Sequence, residues 1–396
     1  MDAATNKSTC LYCGNNPVPH FLTWYFETAN TALAPVRKLL LYNPVSEWIF
    51  KLFKKYKLAY WLVLTGKFLG ILKFNMDAAG CKVARAKVLW EEAKKRGIDF
   101  YELAIFGKTF DTYVAKKANK IVVFSGLPRP DEYNAKILEA LDDKILLKKI
   151  LQHNKLPVPQ GWCVWNWRAA VRAFERLPKP VIIKPRSGSR GRHTTTFIYT
   201  AAELRQAFKV AKQLCFWVVV EQQLLGPVYR GTVINFKTRG LLRGDPPTVI
   251  GNGQKTIAEL IQKFNQDKPN GVREMVVTGL TESFLTRQNL SLQTVLAEGQ
   301  IVTLSEKIGV SYGGSSSEEL QVSHPDNLKI FEDAAGALQE PLVGFDFIIP
   351  NITRSYKEQT CGFIEANSLP FINLHHNPLH GRPENVAKYV WEMIGF

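Results

Sequence analysis

The sequence is short of cysteine, of long apolar runs and of negative charge. Six cysteines are scattered through 396 residues, too few and too dispersed for a disulfide framework. In the region richest in apolar residues the longest uncharged run is 58–66, from Leu58 to Gly66, before Lys67 interrupts it. A membrane span needs about 20 apolar residues, so no transmembrane helix is predicted. Met1–Lys7 leads into polar sequence, not into an apolar core, which argues against a secretory signal and makes a cytoplasmic protein the expectation. No internal repeat with a period of about 20–50 residues is visible.

Acidic residues number 35 against 51 Lys and Arg, a formal net charge of +16. Hydrophobic content of 46% and charged content of 22% are ordinary for a globular chain with a real core, and exclude a disordered or collagenous one. At about 150 residues per domain the length suggests two or three domains. The excess charge calls for an anionic partner. Residues 36–75 hold eight basic residues and one acid, Glu47, among many aromatic and aliphatic side chains. Such a segment packs as a basic helical face on its own protein, or lies on an anionic membrane surface.

Helical spacing is predicted over 76–97, 136–153, 202–214, 256–265 and 383–394. Strands are predicted at 100–106, 120–124, 181–184, 216–221, 342–349 and 361–367, with a hairpin over 228–241. Cys10-Leu-Tyr-Cys13 is a single C-x-x-C knuckle with His20 nearby. A zinc site needs four ligands and a second knuckle is missing. The primary reading is two reduced thiols; the alternative is a zinc turn closed by His20 and one further residue.

Four features carry chemistry. Val181-Ile-Ile-Lys184-Pro185 runs into Arg186-Ser-Gly-Ser-Arg-Gly-Arg192, a strand ending in lysine beside a small-residue loop whose N–H groups suit phosphates. It is not a P-loop, because the G-x-x-x-x-G-K-[ST] order is absent. Val218-Val-Val-Glu221 exits through Gln222, Gln223 and Leu224, a strand end able to offer main-chain groups to an adenine edge. Asp346 lies in one apolar strand, and Glu365 and Asn367 lie two apart in another. Residues two apart face one side, and three oxygen ligands suit Mg2+ with substrate phosphates. Arg243 heads a strand exit, a turn and a helix start over 243–261, and is a candidate for contacting transferred phosphate.

In this order the features resemble the ATP-grasp superfamily of carboxylate–amine ligases. They look most like the ATP-grasp module of cyanophycin synthetase and of the fused bacterial glutathione-synthesis enzyme. The resemblance covers about Asp143 to Ile394 and is densest at Pro246-Pro-Thr-Val-Ile-Gly-Asn-Gly253, Ser323-His-Pro-Asp-Asn327 and Ile364-Glu-Ala-Asn-Ser-Leu-Pro370. It continues through His375 to Gly381-Arg-Pro-Glu-Asn-Val-Ala387.

The resemblance implies an α+β / α/β chain in which two α+β subdomains clamp ATP. They follow a small α/β pre-ATP-grasp unit and a basic N-terminal extension. The expected divisions are 1–75, 76–140, 141–222 and 223–396. It also implies a carbon–nitrogen ligase that phosphorylates a carboxylate with ATP and Mg2+ (or Mn2+), then lets an amine attack the acyl phosphate. Lys144 and Lys184 resemble the nucleotide lysines, and Ser187, Gly188, Ser189, Arg190 and Gly191 the phosphate-covering loop. Glu221, Gln222, Gln223 and Leu224 resemble the adenine hinge. Asp346, Glu365 and Asn367 resemble the metal ligands, and Arg230 and Arg243 phosphate- or substrate-facing cations. Asn373 and His375 are assigned to substrate.

The pattern departs from the family at Val228, where relatives often carry an acid for the ribose, and at Asn373, where relatives carry an arginine. No Mur-ligase domain follows, so processive cyanophycin synthesis is not expected. The expected partners are amino acids or peptides, with a homo-oligomer as the assembly state. The runner-up readings are a ligase that adds amino acids to a protein or envelope polymer, with residues 36–75 touching a membrane, and a cyanophycin-synthetase-like single-step ligase. A non-catalytic nucleotide or nucleic-acid binder is a third reading, and no nucleic-acid motif supports it.

Overall fold

A computed structural model of the chain describes residues 10–13, 17–33, 58–130, 143–187 and 191–396, together with residues 36, 48 and 141. Most of the basic stretch 36–57, and Gly188, Ser189 and Arg190 of the expected phosphate loop, lie outside the described residues. Helices α1 (His20–Ala32) and α2 (Leu58–Phe68) precede the first sheet. Among the described residues no helix is long and apolar enough to cross a membrane.

The first sheet is an antiparallel meander of β1 (Leu72–Asn75), then, after α3 (Ala84–Lys95), β2 (Asp99–Ile105), β3 (Lys108–Lys117) and β4 (Lys120–Ser125). It begins at Leu72, so the expected boundary at residue 75 would cut away an edge strand. Helix α3 starts at Ala84, later than its periodicity suggested. Asp77 caps a 3-10 turn over 78–80 by accepting the Ala79 N–H at 2.9 Å, and Cys81 then leaves it in extended conformation.

The next unit comprises α4 (Lys144–His153), β5 (Gly161–Val164), α5 (Trp167–Arg176), β6 (Val181–Pro185), β7 (Thr195–Ile198), α6 (Ala201–Lys212) and β8 (Val218–Gln222). Asp143 starts α4 by accepting the Ile145 and Leu146 N–H groups, and Thr200 with Glu203 forms a capping box on α6. The antiparallel sheet runs β5-β8-β6-β7. Val181, Ile183, Val218 and Val220 point to the side covered by α5 and α6. Strand alternation therefore turns Lys184 and Glu221 to the opposite side, away from those helices.

The last unit contains β9 (Val228–Ile234), β10 (Lys237–Asp245), β11 (Thr248–Ile250), α7 (Ile257–Asp267), α8 (Gly279–Thr286), β12 (Ile301–Thr303) and β13 (Ser315–Glu318). It continues with α9 (Pro325–Leu338), β14 (Leu342–Ile348), β15 (Gly362–Asn367), α10 (Asn373–His376), β16 (His380–Gly381) and α11 (Val386–Met393). Its six-stranded sheet runs β15-β14-β9-β10-β13-β16, and only the β13–β16 pair is parallel. The β11–β12 ribbon with α7 and α8 is an insertion with its own small core.

One face of the six-stranded sheet packs on α9, where Phe331 meets Phe345, Phe347 and Phe363 at ring separations of 6.4, 5.5 and 5.6 Å. Gly231 permits this approach: a Cβ there would come within 2.5 Å of the Phe331 ring. The other face is divided. At one end Ile234 and Leu342 join a core with α11 and the first sheet, where Trp391 donates its indole N–H to Leu89 O at 3.1 Å. Truncating such a buried tryptophan costs about 3–5 kcal/mol. The other end of that face is charged.

Candidate active site

The charged region begins in β6 and β8. Lys184 opposes Val219 and Glu221 opposes Ile182, so the two charged residues are diagonal neighbours on one face of the sheet. Helix α4 brings Lys144 and, one turn later, Lys148 to the same place. Glu221 is 1% exposed and is ion-paired to both Lys148 and Lys184, each 7% exposed. Lys144 reaches across to Glu365 of the six-stranded sheet at 3.7 Å. Among the described residues, three lysines thus meet two carboxylates in one cluster. Burial lowers the Lys148 pKa well below the usual lysine range, with Lys184 and Lys144 adding to the fall. Burial pushes Lys184 down to about 7, Lys144 adds to this, and Glu365 opposes it. Lys148 is absent from the residues expected from sequence. Its signal was its place four residues after Lys144, which puts both on one helix face.

The second half is built across three strands. Arg230, Asp346 and Glu365 are successive cross-strand partners on β9, β14 and β15, so their side chains share one face. Arg230 donates from Nε and Nη2 to the two Asp346 oxygens at 2.7 and 2.9 Å. Burial alone would lower the Arg230 pKa, but the Asp346 carboxylate overrides it and holds the guanidinium charged. The Phe371 ring lies 5.6 Å from that guanidinium. Asn367 opposes Gly344, two pairs further along and on the same face, and its buried Nδ2 has no hydrogen-bond partner among the described residues.

The other expected residues divide. Ser187 Oγ lies 3.6 Å from Cys215 Sγ, and Gly191 has φ +60°, a conformation glycine accepts without strain. The Gln222 N–H donates to Gln160 O at 2.8 Å and the Gln223 N–H to Pro180 O at 3.1 Å, so neither is free for a base edge. Leu224 is buried beside them. Arg243 departs from expectation. It opposes Tyr229 and Ser317, whereas Arg230 opposes Leu242, so alternation sends the two arginines to opposite faces. Arg243 instead meets Asp245 at 2.8 Å and Glu319 at 3.8 Å.

His375 also departs from expectation. It is fully buried, with Nε2 2.7 Å from Thr232 Oγ1 and Nδ1 2.5 Å from Glu318 Oε2. Gly240 leaves it the room, since a Cβ there would come within 2.4 Å of the ring. His375 therefore ties α10 to the sheet and is closed off from substrate. Two residues earlier, Asn373 Oδ1 is buried without a partner among the described residues.

These residues fit a nucleotide triphosphate with a divalent cation. The carboxylates of Asp346 and Glu365 and the unpartnered amide of Asn367 form an oxygen-rich set suited to a hard ion. Amide O and N are interchangeable by rotation, so the orphan Nδ2 position equally presents Oδ1. The lysine cluster faces the same space and suits polyphosphate.

No protein-family model matches the chain. It is 28% identical over 318 residues to the cyanophycin synthetase of Trichormus variabilis, covering 77% of this chain and 34% of that protein. It is 27% identical over 331 residues to the glutathione biosynthesis bifunctional protein of Clostridium perfringens, covering 81% of this chain and 42% of that one. The crystal structure of a bifunctional glutathione synthetase from Pasteurella multocida superimposes with a TM-score of 0.57 at 22% identity, covering 78% of this chain and 43% of that chain. This chain thus spans about a third to two-fifths of the length of these relatives. Related in sequence to both kinds of synthetase and sharing the fold of the glutathione synthetase, the chain has an ATP-grasp fold.

Proposed function

We propose that the chain is an ATP-dependent ligase that joins the carboxylate of an amino acid or peptide to an amine. The observation that carries this reading is the lysine cluster facing an acidic strand pair in an ATP-grasp fold. Lys144, Lys148 and Lys184 would hold the polyphosphate. Glu221 keeps Lys148 and Lys184 in position. Asp346, Glu365 and Asn367 would hold Mg2+ (or Mn2+), which supplies Lewis-acid stabilisation of the transferring phosphoryl group. Arg230, fixed by two bonds from Asp346 and backed by Phe371, keeps a permanent cation where charge would develop. The carboxylate oxygen attacks the γ-phosphorus, ADP leaves, and the amine then displaces phosphate from the acyl carbon and loses a proton to solvent.

ADP release that requires both a carboxylate and an amine, followed across a panel of amino acids and dipeptides with mass detection of product, tests this reading. Glu365→Ala should abolish turnover. Full activity in that variant would refute the metal assignment, and ADP release independent of any amine would refute the ligase reading.

A second reading concerns location: an amine or carboxylate carried by a protein tail or envelope polymer at a membrane surface. It is favoured by the exposed apolar side chains of α2 and the turn after it: Trp61, Leu62, Phe68 and Leu69 stand open beside Lys67. Co-sedimentation with vesicles containing anionic lipid, weakened by Trp61→Ser with Phe68→Ser, would support it. No binding by the unaltered chain at low salt would refute it.

A further inference from the structure

The N-terminal knuckle does not stand alone. Cys10, Cys13, His20 and His193 converge, and their four potential ligand atoms all lie within 4.8 Å of one another. Cys13 Sγ is 3.3 Å from His20 Nε2 and 3.5 Å from His193 Nε2, and Cys10 Sγ is 3.5 Å from His193 Nε2. A tetrahedral ion with Zn–S of about 2.3 Å and Zn–N of about 2.0–2.1 Å sets the sulfur–nitrogen edge at roughly 3.6 Å. Three independent edges agree with that figure to within a few tenths of an ångström.

The surroundings prepare these groups for a metal. His193 and Cys13 are buried, where polar atoms are costly without partners. His193 Nδ1 lies 2.8 Å from the Val210 carbonyl of α6. That bond places the proton on Nδ1 and turns a lone pair of Nε2 toward the sulfurs, the outer-shell arrangement typical of metal-bound histidine. The His193 backbone is held at φ +51° and its N–H donates to Tyr12 O at 3.0 Å. An unfavourable backbone conformation is thus kept by a main-chain bond to the knuckle itself. His20 sits at the first turn of α1, its position fixed by the helix start after Pro19.

We propose that Cys10, Cys13, His20 and His193 form a structural Zn2+ site that fastens the N-terminal turn to the strand-side exit of the 187–192 loop. Two thiolates and two neutral imidazoles select zinc among common divalent ions. The cysteine thiols lose two protons to solvent on binding, so the occupied site carries no net charge and tolerates burial. With four protein ligands the coordination sphere is closed, which assigns the ion a structural and not a catalytic role. Gly191 and Arg192 directly precede His193 in the chain, so the site would anchor the far end of the 187–192 segment.

The test is metal analysis of the full chain purified without chelator, followed by cobalt replacement. About one Zn2+ per chain is expected. Exchange for Co2+ should give the visible bands of a tetrahedral ion and a near-ultraviolet thiolate charge-transfer band. Cys10→Ser, Cys13→Ser and His193→Gln should lose or weaken these bands, while Cys163→Ser and Cys361→Ser retain them. A chain that binds neither ion overturns the proposal. So do bands that survive Cys13→Ser but vanish in Cys163→Ser or Cys361→Ser. Should a knuckle variant fail to fold, the cobalt spectrum and stoichiometry of the unaltered chain still decide the matter.

Discussion

Glu221→Gln is the most informative single change to the lysine cluster. The substitution keeps the shape of the side chain and removes the carboxylate paired with both Lys148 and Lys184. All three groups are at least nine-tenths buried, so solvent cannot screen the loss. Removing one partner of a buried pair costs about 3–5 kcal/mol, and here two ammonium groups are left against the distant Glu365. At roughly 2–4 °C per kcal/mol for a unit of 150–250 residues, the expected fall in Tm is about 6–20 °C.

The pH dependence separates this cause from a packing defect. A lysine with a lowered folded pKa binds fewer protons folded than unfolded between its two pKa values, so stability rises with pH across that window. For Lys184 the window opens at about 7 and ends near the ordinary lysine value of about 10.4. In the variant Lys184 should fall further below 7, so the deficit relative to the unaltered chain should be largest at low pH, shrink as pH rises to about 7, and stay level from there toward 10. Adding Lys148→Met removes one of the stranded charges and should recover about 1–3 kcal/mol. Thermal and denaturant unfolding between pH 5 and 10 measure all of this. A Glu221→Gln deficit under about 1 kcal/mol, or one that does not change with pH, would refute the account of the cluster.

Three further outcomes follow from the same geometry. If Lys184 titrates near 7 and meets polyphosphate, AMP-PNP binding should take up a proton and weaken as pH rises from 7 to 9; calorimetry in buffers of different ionisation heat reads the uptake directly. Gly240→Ala should destabilise the chain by driving a methyl group into His375, by about 1–3 kcal/mol, and unchanged denaturation would refute the packing described. His375→Ala strands Glu318 in the core and should cost about 1–3 kcal/mol, while turnover per folded molecule stays near that of the unaltered chain; a selective loss of turnover would return His375 to the substrate site.

Much of the chemistry was legible because it lies in strands with strict alternation. Glu365 and Asn367, two apart in an apolar run, announce a shared face, and the register confirms that Asp346 joins Glu365 there. The same alternation separates Arg230 from Arg243, which neither sequence spacing nor resemblance could tell, because it depends on which residues oppose each other across β9 and β10. Strand β3 was overlooked because Lys108–Lys117 is polar at both ends and only its middle is buried. Strand β1 was hidden inside the basic block. The fourth ligand of the proposed zinc site, His193, lies 173 residues beyond the third, His20, so no local pattern could connect them; only the fold does. The folding of α10 back over Gly240 likewise turned His375 from an expected substrate contact into an internal brace.

The docking of α11 between the first sheet and the six-stranded sheet bears on the order in which the protein can assemble during synthesis. Residues 84–127 leave the ribosome early, yet the core they share is completed by Val390 and Trp391. At about 5–20 residues per second, that first unit waits roughly 13–55 seconds with Leu89 and Phe100 lacking their final cover. The sheet β5-β8-β6-β7 with α5 and α6, whose core draws on its own helices, has no such wait, whereas α4 needs the six-stranded sheet against which Leu147 and Leu151 pack. The sheet that carries Lys184 and Glu221 is therefore free to fold before the part that precedes it in sequence.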